Sequence, residues 1–223
     1  MRVSGTKAMS TLTAPSSTNL GLRERNKAKK LDSIKRAARK LFTTRGFDAL
    51  TIRAVARAAD VGFGTVSAYA TDKTGLLAML FLEDLEQFPP VFQDVDPETP
   101  LIDQFMQAFG RMFSFWALHP ELSRAVLPQL QMQNASPQIS AILKRREAVR
   151  SEVSAWIEEG KRLKRIAQWV DSNQATETLF ALYISTIHEW LMSAPVEKEA
   201  GLARLRYLFE LPIEAMVPKM RHR

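Results

Sequence analysis

Between Ile34 and Val66 apolar residues recur at intervals of three and four, and two breaks made of turn residues divide the stretch so that its last piece can only be a short rod. That pattern admits helices and argues against alternating strands. Ile34, Ala37, Ala38, Leu41 and Phe42 form a buried stripe, while Lys35, Arg36, Arg39 and Lys40 occupy the opposite face of the same helix. Arg45-Gly46 ends it, because glycine takes a left-handed cap conformation without a steric penalty. Thr51 stands where an N-cap satisfies the free amides of the next helix, whose Ile52, Val55, Ala56 and Ala59 make a small apolar face. Asp60 falls in the following turn, where a positive backbone angle is expected and aspartate tolerates it. A second helix is expected from about Gly62 to Tyr69, with Val61 and Val66 inward and Phe63, Gly64, Thr65, Ser67, Ala68 and Tyr69 outward. In a helix-turn-helix the N-terminal residues of that second helix enter the major groove of DNA.

Taken together, Leu41-Phe42, Gly46-Phe47, Thr51-Ile52-Arg53, Val55-Ala56, Ala59, Val61, Gly64-Thr65, Tyr69, Lys73 and Leu76-Leu77 stand at spacings that resemble the DNA-binding domain of TetR-type transcriptional regulators. The resemblance covers only the N-terminal part of the chain. It implies an all-α fold: a three-helix helix-turn-helix domain at 23–73, then a larger helical ligand-binding and dimerisation domain at 74–223. It also implies base or backbone contact for Thr65 and Tyr69 and a phosphate contact for Lys73. Adding the exposed neighbours, the expected DNA-facing set is Arg45, Thr51, Arg53, Phe63, Gly64, Thr65, Ser67, Ala68, Tyr69 and Lys73. Three positions depart from the family pattern: Asp60 replaces a usual glycine, Ser67 a usual aromatic and Ala70 a usual phenylalanine.

Charge points the same way. Residues 1–75 hold 15 Lys and Arg against 5 Asp and Glu, whereas 76–223 hold 16 against 19. A basic module on a near-neutral body is the footprint of a polyanion binder. The chain has no cysteine, which excludes disulfides and cysteine-ligated metal. Its start lacks the apolar block of a signal peptide, and no apolar run approaches membrane-spanning length, so a cytoplasmic protein without membrane contact is expected. Residues 1–22 are expected to be a disordered tail, since they offer little apolar surface to offset ordering entropy. Arg23, Arg25, Lys27, Lys29 and Lys30 then form either an arm that follows DNA or a solvated helix start.

Beyond Lys73 the chain reads as helix after helix with proline punctuation, about nine in all. Asp72 caps one that Pro89-Pro90 stops; others run from about Pro100 to His119, from Glu121 to Met132 with a break at Pro128, from Pro137 to Leu163, from Asp171 to Ala194 and from Val196 to Val217. The resemblance implies that the last two pair with a second copy of the chain. Leu179, Leu182, Tyr183, Thr186, Ile187 and Trp190 cover more of the helix circumference than a core face needs, which permits a homodimer. Phe105, Phe109, Met112, Phe113, Trp116, Met132, Trp156, Phe180 and Tyr183, with Trp190 beside them, either line a cavity for a lipophilic or aromatic effector or form an ordinary aromatic core. Lys161, Arg162, Lys164 and Arg165 fit compensation of a helix C-terminal dipole.

No nucleophile elbow, phosphate-binding glycine loop or His-Glu metal motif occurs, so no enzyme, metal site or cofactor is expected. The sequence therefore points to a sequence-specific DNA-binding regulator, a dimeric repressor that leaves a palindromic operator when it binds a small molecule. The alternative is a helical small-molecule binding protein that has lost operator recognition, with Ser67 and Ala70 as marks of decay.

Overall fold

The computed structural model describes residues 17–131 and 136–218. Within them the chain forms α1 (Ser17–Ala49), α2 (Ile52–Ala58), α3 (Phe63–Ser67), α4 (Lys73–Glu86), α5 (Leu101–Leu118), α6 (Pro120–Val126), a 3-10 turn (Leu127–Gln131), α7 (Pro137–Arg162), α8 (Ser172–Met192) and α9 (Lys198–Met216). Among the described residues there is no strand, and no helix is long and apolar enough to cross a membrane.

The capping chemistry explains most boundaries. The Thr51 hydroxyl accepts from the Ala54 amide, the Asp72 carboxylate from the Gly75 amide, Ser136 from Ile139 and Asp171 from Gln174. Gly46 has φ 73°, and the chain kinks there between the body of α1 and its last turn. Asp60 adopts φ 53°, the angle its position in the turn requires. Pro128 does end α6, and the backbone continues as the 3-10 turn rather than as a bent α-helix.

Two expectations at the N-terminus change. The first helix begins at Ser17, inside the stretch expected to be tail, so Arg23, Arg25, Lys27, Lys29 and Lys30 ride on a helix and are exposed along it. Residues 1–16 lie outside the described residues. Moreover, Lys35 and Arg39 are not on a solvated face. Glu83 and Asp84 of α4 meet them, with Arg39 Nη2 at 2.8 Å from Glu83 and 2.7 Å from Asp84, and Lys35 Nζ at 3.6 Å from Glu83.

The body is built round two aromatic layers on opposite sides of α5. Phe105, Phe109 and Phe113 face α8 and α9, where the Phe109 ring meets Phe209 edge-on at 4.9 Å and Phe113 lies 4.5 Å from Trp190. The approach is close because Gly201 has no Cβ; one added there would stand 2.3 Å from Phe113 Cζ. On the other side, Phe115 and Trp116 pack against Phe81 of α4. α7 crosses α4 and α8 and closes that second layer.

Candidate nucleic-acid interface and apolar cavity

Three short helical segments set the geometry of the N-terminal module. Ile34, Ala38 and Phe42 of α1, Val55 and Ala56 of α2, and Val66 of α3 are buried together, which fixes α3 across the other two. Ser33 Oγ donates to the Ala59 carbonyl at 3.2 Å and ties the turn to α1. What remains outside α3 is Phe63, 54 % exposed, with Gly64 and Ala68 exposed and Thr65, Ser67 and Tyr69 half-buried. Thr51, Arg45 and Arg53 are exposed beside it, and the two arginines form no ion pair among the described residues.

Gly64 has a particular significance. A Cβ there would meet nothing within 4 Å, and its φ is not positive, so neither packing nor backbone geometry requires glycine. Glycine in a helix nonetheless costs about 1 kcal/mol relative to alanine. A glycine with no internal reason, at the exposed start of α3, fits close approach by something outside the chain. Lys73 sits nearby with its Nζ 3.5 Å from the centre of the Phe47 ring and 3.4 Å from Asp48 Oδ1. Phe47 and a fully exposed carboxylate thus hold the ammonium at the edge of this surface.

Ala70 is buried, and the substitution for a larger residue has a visible consequence. A Cβ on Gly75 would lie 3.3 Å from the Ala70 Cβ, so the first turn of α4 settles directly on the end of the helix-turn-helix. Tyr69 links the two parts as well: its hydroxyl donates to the Lys27 carbonyl at 3.3 Å, and its own carbonyl accepts from Gln138 at the start of α7.

Inside the body lies an apolar cavity of about 80 Å³. Phe81 and Leu85 of α4, with Phe88 just past its end, form one wall; Met112, Phe115 and Trp116 of α5, Leu130 of the 3-10 turn, Ile142, Arg145, Arg146 and Val149 of α7, and Phe180, Tyr183 and Ile184 of α8 complete it. Of the residues expected to line a cavity, Met112, Trp116, Phe180 and Tyr183 do so. Phe105, Phe109 and Phe113 do not: Phe109 packs on Phe209 of α9 and behind Phe180 and Tyr183, Phe113 on Trp190 of α8, and Phe105 on Phe92. Trp156 stacks on Phe92 at 4.5 Å and donates its Nε1–H to Gln104, so it seals the far end of the bundle. Met132 lies outside the described residues. The residues that α4 and α7 give to the cavity, Phe81, Leu85, Ile142, Arg145, Arg146 and Val149, were not among those expected to line one.

The polar atoms of the cavity are few. Trp116 Nε1 donates to Tyr183 Oη at 2.7 Å, and burial raises the phenol's pKa far above its ordinary value, with the Trp116 bond only partly opposing this. Tyr183 therefore remains a neutral hydroxyl. Arg145 is held by Glu152 at 3.4 Å and by the Phe88 carbonyl at 3.3 Å. Arg146 is not held, and its Nε is buried without an acceptor.

The residues expected to exceed a core face on α8 do not do so. Leu179, Tyr183, Thr186, Ile187 and Trp190 are buried within the single chain, and Leu182 is half-buried. The exposed apolar groups of α8 and α9 include Ala181, Met192, Tyr207 and Leu211, with Trp169 just ahead of α8. Among the described residues no group of three or more histidine, aspartate or glutamate side chains could hold a metal ion. Glu158, Glu159 and Glu98 neutralise most of the basic cluster, pairing with Lys161, Arg162 and Arg165.

Comparison with known proteins places the N-terminal module. Residues 34–80 match the family model described as bacterial regulatory proteins, tetR family. The HTH-type transcriptional regulator YhgD of Bacillus subtilis (strain 168) is 27% identical over 176 residues, spanning 77% of this chain and 91% of its own length. Among solved structures, FadR of Thermus thermophilus, a TetR-family repressor in complex with lauroyl-CoA, superposes with TM-score 0.61 and 21% identity over 86% of this chain and 98% of that one. FadR of Bacillus subtilis in complex with stearoyl-CoA gives TM-score 0.61 at 21% identity over 82% and 98%. The fold is that of these regulators.

Proposed function

We propose that this chain, with its tetR-family helix-turn-helix, is a dimeric transcriptional repressor released from a palindromic operator by a lipophilic effector. Residues 23–73 serve as the reader and 74–223 as the sensing and dimerising body, with the basic residues from Arg23 to Lys30 on α1 extending the basic surface. Thr65, Ser67, Ala68 and Tyr69 present their side chains to base edges, Phe63 and Gly64 allow close approach, and Arg45, Thr51, Arg53 and Lys73 hold phosphates. α8 and α9 pair with those of a second copy through their exposed faces, setting the two α3 segments about one DNA turn, ~34 Å, apart.

One observation carries the switching mechanism: α4 is at once a wall of the cavity and the helix bonded to the reader. The cavity is about 80 Å³, smaller than the roughly 300–1,000 Å³ of common ligand sites, and the effector widens it by displacing its walls. The wall that also touches the reader is α4, whose Phe81 meets Phe115 edge-on at 5.0 Å, with Phe88 just past its end meeting the same ring at 5.5 Å. Displacement of α4 passes to α1 through Arg39 and to the end of α3 through the Ala70–Gly75 contact. Two of the structural relatives bind acyl-CoA, which supports an acyl-chain effector here. Moving operator occupancy from 1:99 to 99:1 needs a roughly 10⁴-fold preference of the effector for the non-binding state, about 5.5 kcal/mol over the dimer.

Selection of bound duplexes from a random pool, with and without candidate lipophilic effectors, tests this directly. Enrichment of a palindrome that the effector abolishes is the expected result. Failure to enrich any palindrome would support the other reading, a binding protein without operator recognition. We assign no catalytic role to the chain; turnover of a bound effector would overturn that.

A further inference from the structure

Arg146 is the one polar feature of the cavity that nothing else in the protein explains. Its neighbour Arg145 has both a carboxylate and a carbonyl to hold it, and Arg150 is paired with Glu147 and Glu177 and lies over the Phe180 ring. Arg146 makes no ion pair or hydrogen bond among the described residues, and its Nε–H is sealed from solvent against carbon. Arg146 as a whole is half-buried, so the cost falls on this Nε–H, which has exchanged water for apolar neighbours without gaining an acceptor. A methionine or leucine of similar reach would line the same wall at no such cost. The second unused donor is the Tyr183 hydroxyl hydrogen. Its oxygen accepts from Trp116, and no acceptor for its own proton lies among the described residues. Arg145 is already held, so the spare polar capacity among the lining side chains is that of donors, and no lining side chain carries a carboxylate or amide acceptor.

We propose that Arg146 is the anion-receiving group of the cavity, so that the effector is an amphiphile whose apolar tail ends in an anionic oxygen group. This rests on the reading of the cavity as the effector site and adds the chemical class of the head. The tail fills the space among Phe81, Phe115 and Ile184, and the head accepts from Arg146, with the Tyr183 hydroxyl as a second donor. In the closed state the missing acceptor is an internal cost, and binding removes it. A charge-assisted bond of this kind corresponds to about ten- to hundredfold in affinity.

The test is calorimetric titration of the full-length protein with octanoate, octyl phosphate and octanol, which share a tail and differ in the head. Binding of at least one anion about tenfold tighter than octanol is expected, and whichever anion binds tighter identifies the head group. In R146M that preference should vanish while octanol affinity stays unchanged, and R146K should keep part of it. R145M is the control: it loses structural bonds and should lower the melting temperature without abolishing the preference. Equal affinity for octanol and both anions in the native protein, or a preference that survives in R146M, overturns the proposal. Should R146M fail to fold, the native comparison alone still decides it. Absence of binding by all three probes refutes the effector cavity itself, and the head-group assignment with it.

Discussion

Replacing Arg39 by methionine should disconnect the reader from the body while leaving both folded. The guanidinium bridges α1 to α4 through Glu83 at 2.8 Å, Asp84 at 2.7 Å and the Leu80 carbonyl at 3.2 Å. Burial works against its charge, but bonding to Glu83 and Asp84 and their negative field outweigh that and raise its pKa above the ordinary value. The side chains are 28, 32 and 17 % exposed, so each ion pair is partly screened and contributes about 0.5–1 kcal/mol. With about 1 kcal/mol for the carbonyl bond, the bridge amounts to roughly 2 kcal/mol. Methionine preserves the packing of the stem, so the melting temperature should fall by about 4–8 °C. If this bridge transmits the effector signal, the ratio of operator affinities without and with effector should shrink, by up to about thirtyfold for 2 kcal/mol. Fluorescence anisotropy on the selected operator, with a thermal melt alongside, measures both quantities. R36M supplies the comparison, because Arg36 pairs only with exposed Asp32 and its loss should leave both within error. A variant R39M that melts earlier but responds fully to effector would refute the route through α1 and α4.

Lys73→Ala should weaken binding to every duplex alike and lower the slope of log affinity against log salt by about 0.9, the signature of one lost phosphate contact. An unchanged slope in a salt titration would show that its ammonium stays with Phe47 and Asp48. Gly64→Ala should stabilise the free protein by about 0.5–1 kcal/mol in denaturant unfolding and yet weaken operator binding, since the added methyl has open space inside the chain and none against DNA. Tighter binding by that variant would remove the argument for close approach. Gly201→Ala should cost about 1–3 kcal/mol of stability in urea melts, because Phe113 is trapped between the new methyl and Trp190; a neutral effect would mean that α9 slides freely over α5.

The two sides of α5 are packed differently. The α9 side of α5 is filled by Phe105, Phe109, Phe113 and Phe209, all fully buried, and forms a rigid base. On the α4 side, Leu85, Phe88 and Phe115 are only half-buried around empty space.

Much of the reader was legible in the chain itself. Periodicity, the Thr51 and Asp72 caps, the bend at Gly46 and the turn at Asp60 are rules written within a few residues, so local sequence determined the helices and the orientation of α3 against α1 and α2. The cavity was not legible in this way. Which half of α5 borders open space depends on where α4, α7 and α9 arrive, and those helices come from distant parts of the chain. The same holds for charge: Lys35 and Arg39 carry the pattern of a solvated face, and only the arrival of Glu83 and Asp84 turns them into the joint between the two domains. Sequence alone thus decided what the protein holds out to its surroundings, through contacts between near neighbours. Tertiary packing decided where it is hollow and which helix bears the load, because empty space and long-range ion pairs belong to no single segment.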